Sequence, residues 1–215
     1  MSLPEIWQQF VTGMQDTKPI EYVGVFAGII SVLLQRKANI WVYPVGLVNT
    51  VIYVYISVKG SLFGEASVNF YYTVMSIYGW ILWSKKDDDK QLVLNIAYSN
   101  KKEVVQQLLF FALFYVAIFA ALVYLKQAFY SSTIPWADAF ASASAYTGMW
   151  LLAKKKIESW YWWIVTNTAS IPLYFIKGYV FTSFQYIVLL ILAFAGLFSW
   201  MEKSKAKRAA AFTHE

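Results

Sequence analysis

The stretch WYWWIVTNTASIPLYFIKG, residues 160–178, is an apolar run that carries Trp163, Asn167, Ser170 and Tyr174 at spacings of four, three and four. On a helix such spacings place side chains on one face. Asn167 lies seven residues in from Trp160, about 10 Å along a helix axis. An amide at that depth in a membrane helix faces protein or a water-filled cavity. The chemistry available is reversible recognition. Indole and phenol faces stack on a flat ring and attract a cationic one. An amide donates and accepts toward hydroxyls and carboxamides. The same residue types recur as Gly46, Asn49 and Tyr53; as Asn69, Tyr72, Ser76, Gly79 and Trp83; and as Gln185 and Tyr186. Asp138 opens another such run, continued by Ser142, Ser144, Tyr146 and Thr147. Amides also hydrogen-bond helix to helix, so Asn49 and Asn167 stay open to either reading, and Trp163 to plain packing.

No catalytic set accompanies these groups. His214 is the only histidine and there is no cysteine, which removes thiolate chemistry, disulfides and a His/Cys metal cluster. Glu65 and Asp138 fall near the ends of apolar runs, where carboxylates cap helices or line an entrance. Gly60 and Gly64 lack the strand-to-helix setting of a phosphate loop. The expectation is a protein without cofactor, metal or enzymatic activity.

These side chains need apolar helices to hold them. The chain has 215 residues, 59% hydrophobic and 14% charged, with a mean hydropathy of +0.48. Soluble domains carry about a quarter charged residues. Seven apolar runs are separated by charged breaks: 22–34, 40–58, 66–83, 104–125, 137–153, 159–176 and 182–200. Without the period-two alternation of a barrel they read as helices, since lipid cannot satisfy open backbone groups. The fold class expected is an all-α polytopic membrane protein of seven transmembrane helices. Trp41, Tyr43, Trp83, Trp136, Trp160, Trp162 and Trp200 lie near run ends and are expected to form interfacial belts.

Seven crossings place fourteen of the eighteen basic residues on one side, in the breaks after the first, third and fifth runs and in the tail. The positive-inside rule makes that side cytoplasmic, with the N-terminus outside. This distribution accounts for the net charge of +6 through an anionic membrane face and leaves no role for nucleic acid. The opening residues lack the pattern of a signal peptide. Segment 1–19 reads as an extracytoplasmic piece, either a short interfacial helix with Ile6, Trp7, Phe10 and Val11 on one face or a ragged terminus.

The chain also repeats. LLQRKANIWVYPVGLVNTVIYVYISVKG (33–60) aligns with LLAKKKIESWYWWIVTNTASIPLYFIKG (151–178) at an offset of 118, pairing Asn49 with Asn167 and Lys59-Gly60 with Lys177-Gly178. After a one-residue slip, GWILW (79–83) meets GLFSW (196–200). The expected organisation is a first three-helix repeat at 20–86, a cytoplasmic loop at 87–103, a linker helix at 104–126, a second repeat at 127–201 and a basic cytoplasmic tail at 202–215. Three helices plus one make the repeats parallel, a 3+1+3 arrangement with a path between halves. Pro44 and Pro172 are candidate hinges or fixed kinks.

EYVGVFAGIISVLL (21–34), SIYGWILW (76–83), WWIVTN (162–167) and IPLYFIKG (171–178) resemble the PnuC family of nicotinamide riboside transporters, over roughly residues 20–202. The resemblance implies a bacterial inner-membrane protein with a fold like that of the SWEET sugar transporters, assembled as a homotrimer. It implies facilitated import of nicotinamide riboside for NAD synthesis, trapped by a cytoplasmic riboside kinase. The pocket it implies includes Trp163, Asn167 and Tyr174, with Asn49 and Tyr53 from the first half; Gln185 and Asn69 are further candidates. Ser170 and Tyr72, on the same faces, complete the candidate set. The alternatives are a carrier of thiamine or riboflavin, a SWEET-like sugar carrier, and a membrane receptor that binds without transport.

Overall fold

The computed structural model describes residues 2–16, 18–59, 63–86, 92–128 and 134–212. His214 lies outside the described residues, as do the side chain of Glu65 and part of the 87–103 loop. Among the described residues there are eight helices: α1 (Leu3–Asp16), α2 (Pro19–Arg36), α3 (Val42–Lys59), α4 (Phe63–Ser84), α5 (Lys101–Ala128), α6 (Pro135–Ala153), α7 (Glu158–Ile176) and α8 (Val180–Phe212). Four of them, α2, α3, α5 and α8, are long and apolar enough to cross a membrane. The other expected spans, α4, α6 and α7, are the helices that carry most of the polar residues singled out above.

Local chemistry sets the boundaries. Pro19 and Pro135 occupy the first turns of α2 and α6, where a missing N–H costs nothing. Both helices end on a residue in the left-handed region, Ala38 (φ 57°) and Lys155 (φ 51°). There the next amides fold back, Asn39 N–H to the Leu34 carbonyl and Lys156 N–H to that of Leu151, each at 3.0 Å. Gly178 (φ 82°) ends α7 in the same conformation without a Cβ to strain it. α5 begins with a reciprocal cap: Glu103 N–H donates to Asn100 Oδ1 at 2.9 Å and Asn100 N–H to Glu103 Oε2 at 2.8 Å. α8 continues through the basic segment to Phe212, because MEKSKAKRAAAF is composed largely of strong helix formers. Pro44 falls in the first turn of α3 and bends nothing; Pro172 sits on an exposed face inside α7.

Helices adjacent in sequence pack together within two triplets, α2–α3–α4 and α6–α7–α8, and the triplets meet twice: α4 lies on α6, and α8 on α2. α5 packs on α6, and α1 on α8 through Phe10 against Phe181 and Phe184. α6 is the hub. Its small residues Ala139, Ala141, Ala143, Ser144 and Ala145 are buried and let α4, α5 and α7 approach closely.

The triplets match in one register of 117 rather than 118. That offset relates Arg36 to Ala153 at the ends of α2 and α6, Ala38 to Lys155 in the left-handed turns, and Lys59 to Ile176 at the ends of α3 and α7. It also relates Tyr43 to Trp160 and Trp83 to Trp200. Matching lysines, Lys37 with Lys155 and Lys59 with Lys177, pulled the sequence alignment one residue out; turn geometry corrects it. Asn167 therefore corresponds to Thr50, not Asn49.

A second expectation is corrected. Trp41 and Trp136 are exposed, as belt residues are, but Tyr43, Trp83, Trp160 and Trp200 are at most 2% exposed and form the apolar core at the lysine-rich end. Position near a run end says nothing of which way a ring faces: Trp83 and Trp200 face the partner triplet, and Tyr43 and Trp160 pack behind them on α4 and α8 of their own triplets. Segment 92–100 crosses this end, pinned by Ala97 N–H to the Lys155 carbonyl and by Ser99 to both carboxylate oxygens of Glu158. Burial pushes the Lys155 amine below its ordinary range, as does nearby Lys207. Its Nζ donates to the Leu94 carbonyl at 3.1 Å and lies 4.4 Å from the Trp83 ring centre.

Candidate functional site

Where α4, α6 and α7 meet, a row of aromatic rings crosses the boundary between triplets. Tyr71 stacks on Tyr146 with ring centres 4.1 Å apart, and its hydroxyl donates to the Tyr146 carbonyl at 3.1 Å. Tyr72 meets Tyr146 edge-on at 6.3 Å and Trp163 at 6.1 Å. The Trp163 indole lies against Gly148 of α6, where a Cβ would come within 3.3 Å of the ring. Tyr186 of α8 stacks on Tyr174 of α7 at 5.2 Å. α6 and α7 of the second triplet and α4 of the first thus converge on one aromatic cluster, and α8 joins α7 through the Tyr186–Tyr174 stack.

Some of its polar atoms are left without a partner. The Trp163 Nε1–H is buried without a hydrogen-bond partner, and so is the Ser144 hydroxyl. Asn167, one turn beyond Trp163, is 4% exposed, and among the described residues its amide makes no hydrogen bond. Ser170 follows on the same face, 2% exposed. Buried polar groups in folded proteins are nearly always paired, so a set left open in one place is accounted for by water or a ligand. What can sit there is a flat molecule with acceptors for an indole N–H and a two-sided partner for an amide. Neither an acid nor a metal ligand belongs to this cluster, and the described residues hold no grouping of three or more potential metal ligands.

The remaining candidates are placed as follows. Asn49 lies on the α2–α3 seam, its Nδ2 donating to the Gly24 carbonyl at 2.7 Å. Tyr53 packs on the same Gly24, 3.1 Å from where a Cβ would be. Both face α2 rather than the aromatic row. Asn69 is half-buried on α4 and engaged through its carbonyl, which accepts from Thr73 at 2.9 Å; the Thr73 and Thr50 hydroxyls are themselves 2.9 Å apart. Gln185 is half-buried in the second turn of α8, beside Tyr186. At this opposite end Asp138 both caps and pairs: Oδ2 accepts from Ile134 N–H at 2.7 Å and Oδ1 binds Lys177 Nζ, which lies 5.8 Å from the Tyr174 ring centre.

Three contributors, Tyr71, Tyr146 and Gln107, carried a signal that the residue pattern alone underweighted. Tyr71 and Tyr146 needed the α4–α6 contact to be recognised as a stack. Gln107 of α5 is 3% exposed and its Oε1 accepts from Trp162 Nε1–H at 2.9 Å, fixing the neighbour of Trp163. An amide in an otherwise lipid-facing helix was the available clue.

Comparisons with known proteins place the chain among membrane transporters. The nicotinamide riboside transporter PnuC of Escherichia coli (strain K12) is 23% identical over 222 residues, covering 94% of this chain and 93% of the relative. The riboflavin/roseoflavin transporter RibM of Streptomyces davaonensis is 24% identical over 189 residues, covering 86% of this chain and 85% of its own. A crystal structure of the vitamin B3 transporter PnuC shares the fold with a TM-score of 0.68 at 19% identity, over 95% of this chain and 90% of that one. These relatives are transporters, not enzymes. The family model described as nicotinamide mononucleotide transporter matches residues 18–202. With its apolar helices and an aromatic cluster bridging two matched triplets, the chain is a multi-pass membrane protein that belongs to the PnuC family of nicotinamide mononucleotide and riboside transporters.

Proposed function

We propose that the protein imports nicotinamide riboside across the bacterial inner membrane by facilitated diffusion, with α2–α4 and α6–α8 rocking around the aromatic cluster in alternating access. The observation that carries this reading is the buried, partnerless Trp163 Nε1–H, set among tyrosine rings one turn from the buried Asn167. A pyridinium ring stacks on such faces, and the carboxamide and ribose hydroxyls supply the missing partners. Lys177, whose Nζ lies 5.8 Å from the Tyr174 ring centre, is held by Asp138. Nothing else in the cluster would retain a phosphate, which favours the riboside over its mononucleotide.

In this reading α2 to α8 are seven spans arranged 3+1+3, with α5 as linker. The end bearing Arg36, Lys37, Lys85, Lys86 and Lys154–Lys156 faces the cytoplasm, and α1 lies outside at the interface. A cytoplasmic riboside kinase maintains the gradient. A homotrimer in the bilayer covers part of the exposed apolar surface. The Streptomyces relative favours a second reading, riboflavin transport, in which the same rings stack on a larger flavin. Purified protein in liposomes without added ions or ATP decides between them. Labelled nicotinamide riboside should equilibrate to equal concentrations inside and out, with the mononucleotide, thiamine and glucose as weak competitors. Stronger competition by riboflavin, or no flux despite binding, would overturn the substrate or the transport.

A further inference from the structure

At the lysine-rich end the two triplets are joined by a matched pair of tryptophan bonds. The Trp83 Nε1–H of α4 donates to the Ala153 carbonyl at the end of α6, at 3.2 Å. The Trp200 Nε1–H of α8 donates to the Gln35 carbonyl near the end of α2, at 2.9 Å. Each bond crosses from the last helix of one triplet to the first helix of the other. The two indoles meet between them, ring centres 6.2 Å apart.

Behind each tryptophan stands a matched ring on a glycine. Tyr43 meets Trp83 edge-on at 5.1 Å and Trp160 meets Trp200 edge-on at 5.6 Å. Tyr43 lies on Gly79 and Trp160 on Gly196, so close that a Cβ at either glycine would overlap the ring. The Tyr43 hydroxyl and the Trp160 Nε1–H are both buried without a partner. The closed joint therefore holds two bonds between triplets and, against them, two stranded polar atoms that water would satisfy on opening. A permanent joint would have no reason to carry that opposing cost twice, in equivalent places. Trp160 is one turn from Trp163, so the joint lies one helical turn from the aromatic cluster.

We propose that Trp83 and Trp200 are the paired latches of a gate at the lysine-rich end, closed in this structure by their indole bonds to Ala153 and Gln35 across the two triplets. This rests on the alternating-access reading above. The energetic symmetry requires that either latch alone hold part of the closure.

Because the chain has no cysteine, a single reporter thiol tests this. Met149→Cys places it in the same buried cluster, behind the latches. In liposomes, its labelling by a membrane-impermeant maleimide from the lysine-rich side is measured in otherwise wild-type, Trp83→Phe, Trp200→Phe and Trp41→Phe backgrounds. Phenylalanine keeps a ring and removes the donor. Each latch variant should label about tenfold faster, the worth of one hydrogen bond, whereas the exposed Trp41 should change nothing. Unchanged labelling in latch variants that melt as wild type does would overturn the gate. Should a latch variant not fold, Arg36→Cys with Ser199→Cys, added to the reporter, joins α2 to α8, since the Ser199 hydroxyl lies 3.3 Å from the Arg36 carbonyl. A short reducible cross-linker is set between these two thiols before the maleimide is added, and labelling is read by mass spectrometry of the peptide that carries the reporter. The cross-link should stop labelling of the reporter, and reduction should restore it. Labelling equal in both states would overturn the gate as well. The readout needs no transported solute, so a wrong substrate leaves this result standing.

Discussion

Asn49 donates from Nδ2 to the carbonyl of Gly24 at 2.7 Å, across the seam between α3 and α2. Gly28, one turn further along α2, leaves room for that amide: a Cβ there would come within 2.9 Å of Nδ2. Asn167 has the opposite circumstances, deep burial and an open amide. The two asparagines, alike in sequence setting, hold different posts.

Their substitutions should separate. Asn49→Ala removes a helix–helix bond and should lower stability by about 1 kcal/mol, read as a reduced melting temperature in detergent, with riboside affinity nearly unchanged. Asn167→Ala removes no hydrogen bond among the described residues and should lower the melting temperature less than Asn49→Ala does. It should bind nicotinamide riboside at least about tenfold more weakly, the equivalent of one hydrogen bond. Equal loss of binding in both variants would return Asn49 to the pocket.

Trp163→Phe carries the same logic to an indole. The substitution keeps an aromatic face against Tyr72 and deletes a buried donor that has no partner. Stability should hold or rise slightly, because the orphaned N–H is itself unfavourable. Riboside binding, followed by calorimetry, should weaken. A variant that binds normally and melts lower would make Trp163 a packing residue.

The helices and their order were legible in the apolar runs, because burial in lipid demands continuous apolar stretches. Three features were not legible. The partner of Asn49 is a backbone carbonyl, which every residue has and no sequence marks. The stack of Tyr71 on Tyr146 joins residues 75 positions apart and exists only because α4 crosses onto α6. Trp83 and Trp200 stand where belt tryptophans stand along a run, and only the rotation of their helices turns them inward. The aligned lysines that set the repeat one residue out hold unlike posts, Lys37 and Lys59 exposed, Lys155 buried and Lys177 paired with Asp138, so their identity reflects no shared structural constraint.

Gly79 and Gly196 should be among the positions least tolerant of a methyl group. A Cβ at either would overlap the ring of Tyr43 or Trp160. Neither ring can retreat, since both are at most 1% exposed. Alanine at each should cost about 1–3 kcal/mol through overpacking, measured by thermal unfolding. Gly46 is the control: its nearest side-chain atoms, in Ser31 and Ser76, lie 3.9 Å from a built Cβ, and Gly46→Ala should be neutral or mildly stabilising. A tolerant Gly196 would mean that the joint between triplets yields more readily than its packing implies.

The Asp138–Lys177 pair ties the start of α6 to the end of α7, at the end remote from the latches. Both side chains are less than one-fifth exposed, so the pair is shielded from the screening that weakens surface ion pairs. Asp138 also caps Ile134, and Lys177 reaches toward Tyr174, which links the pair to the stack with Tyr186. Lys177→Met leaves a carboxylate half-buried with one remaining partner, and should cost more than the same change at exposed Lys59. About 2 kcal/mol is expected, from loss of a charge-assisted hydrogen bond. Asp138→Asn keeps an oxygen for Ile134 and should cost less. The double variant should be more stable than Lys177→Met alone, because removing both charges leaves none stranded. Thermal unfolding of the four proteins at low and at about 1 M salt, where screening is nearly complete, measures the coupling; a double variant whose losses simply add would show that the two side chains do not act as a pair.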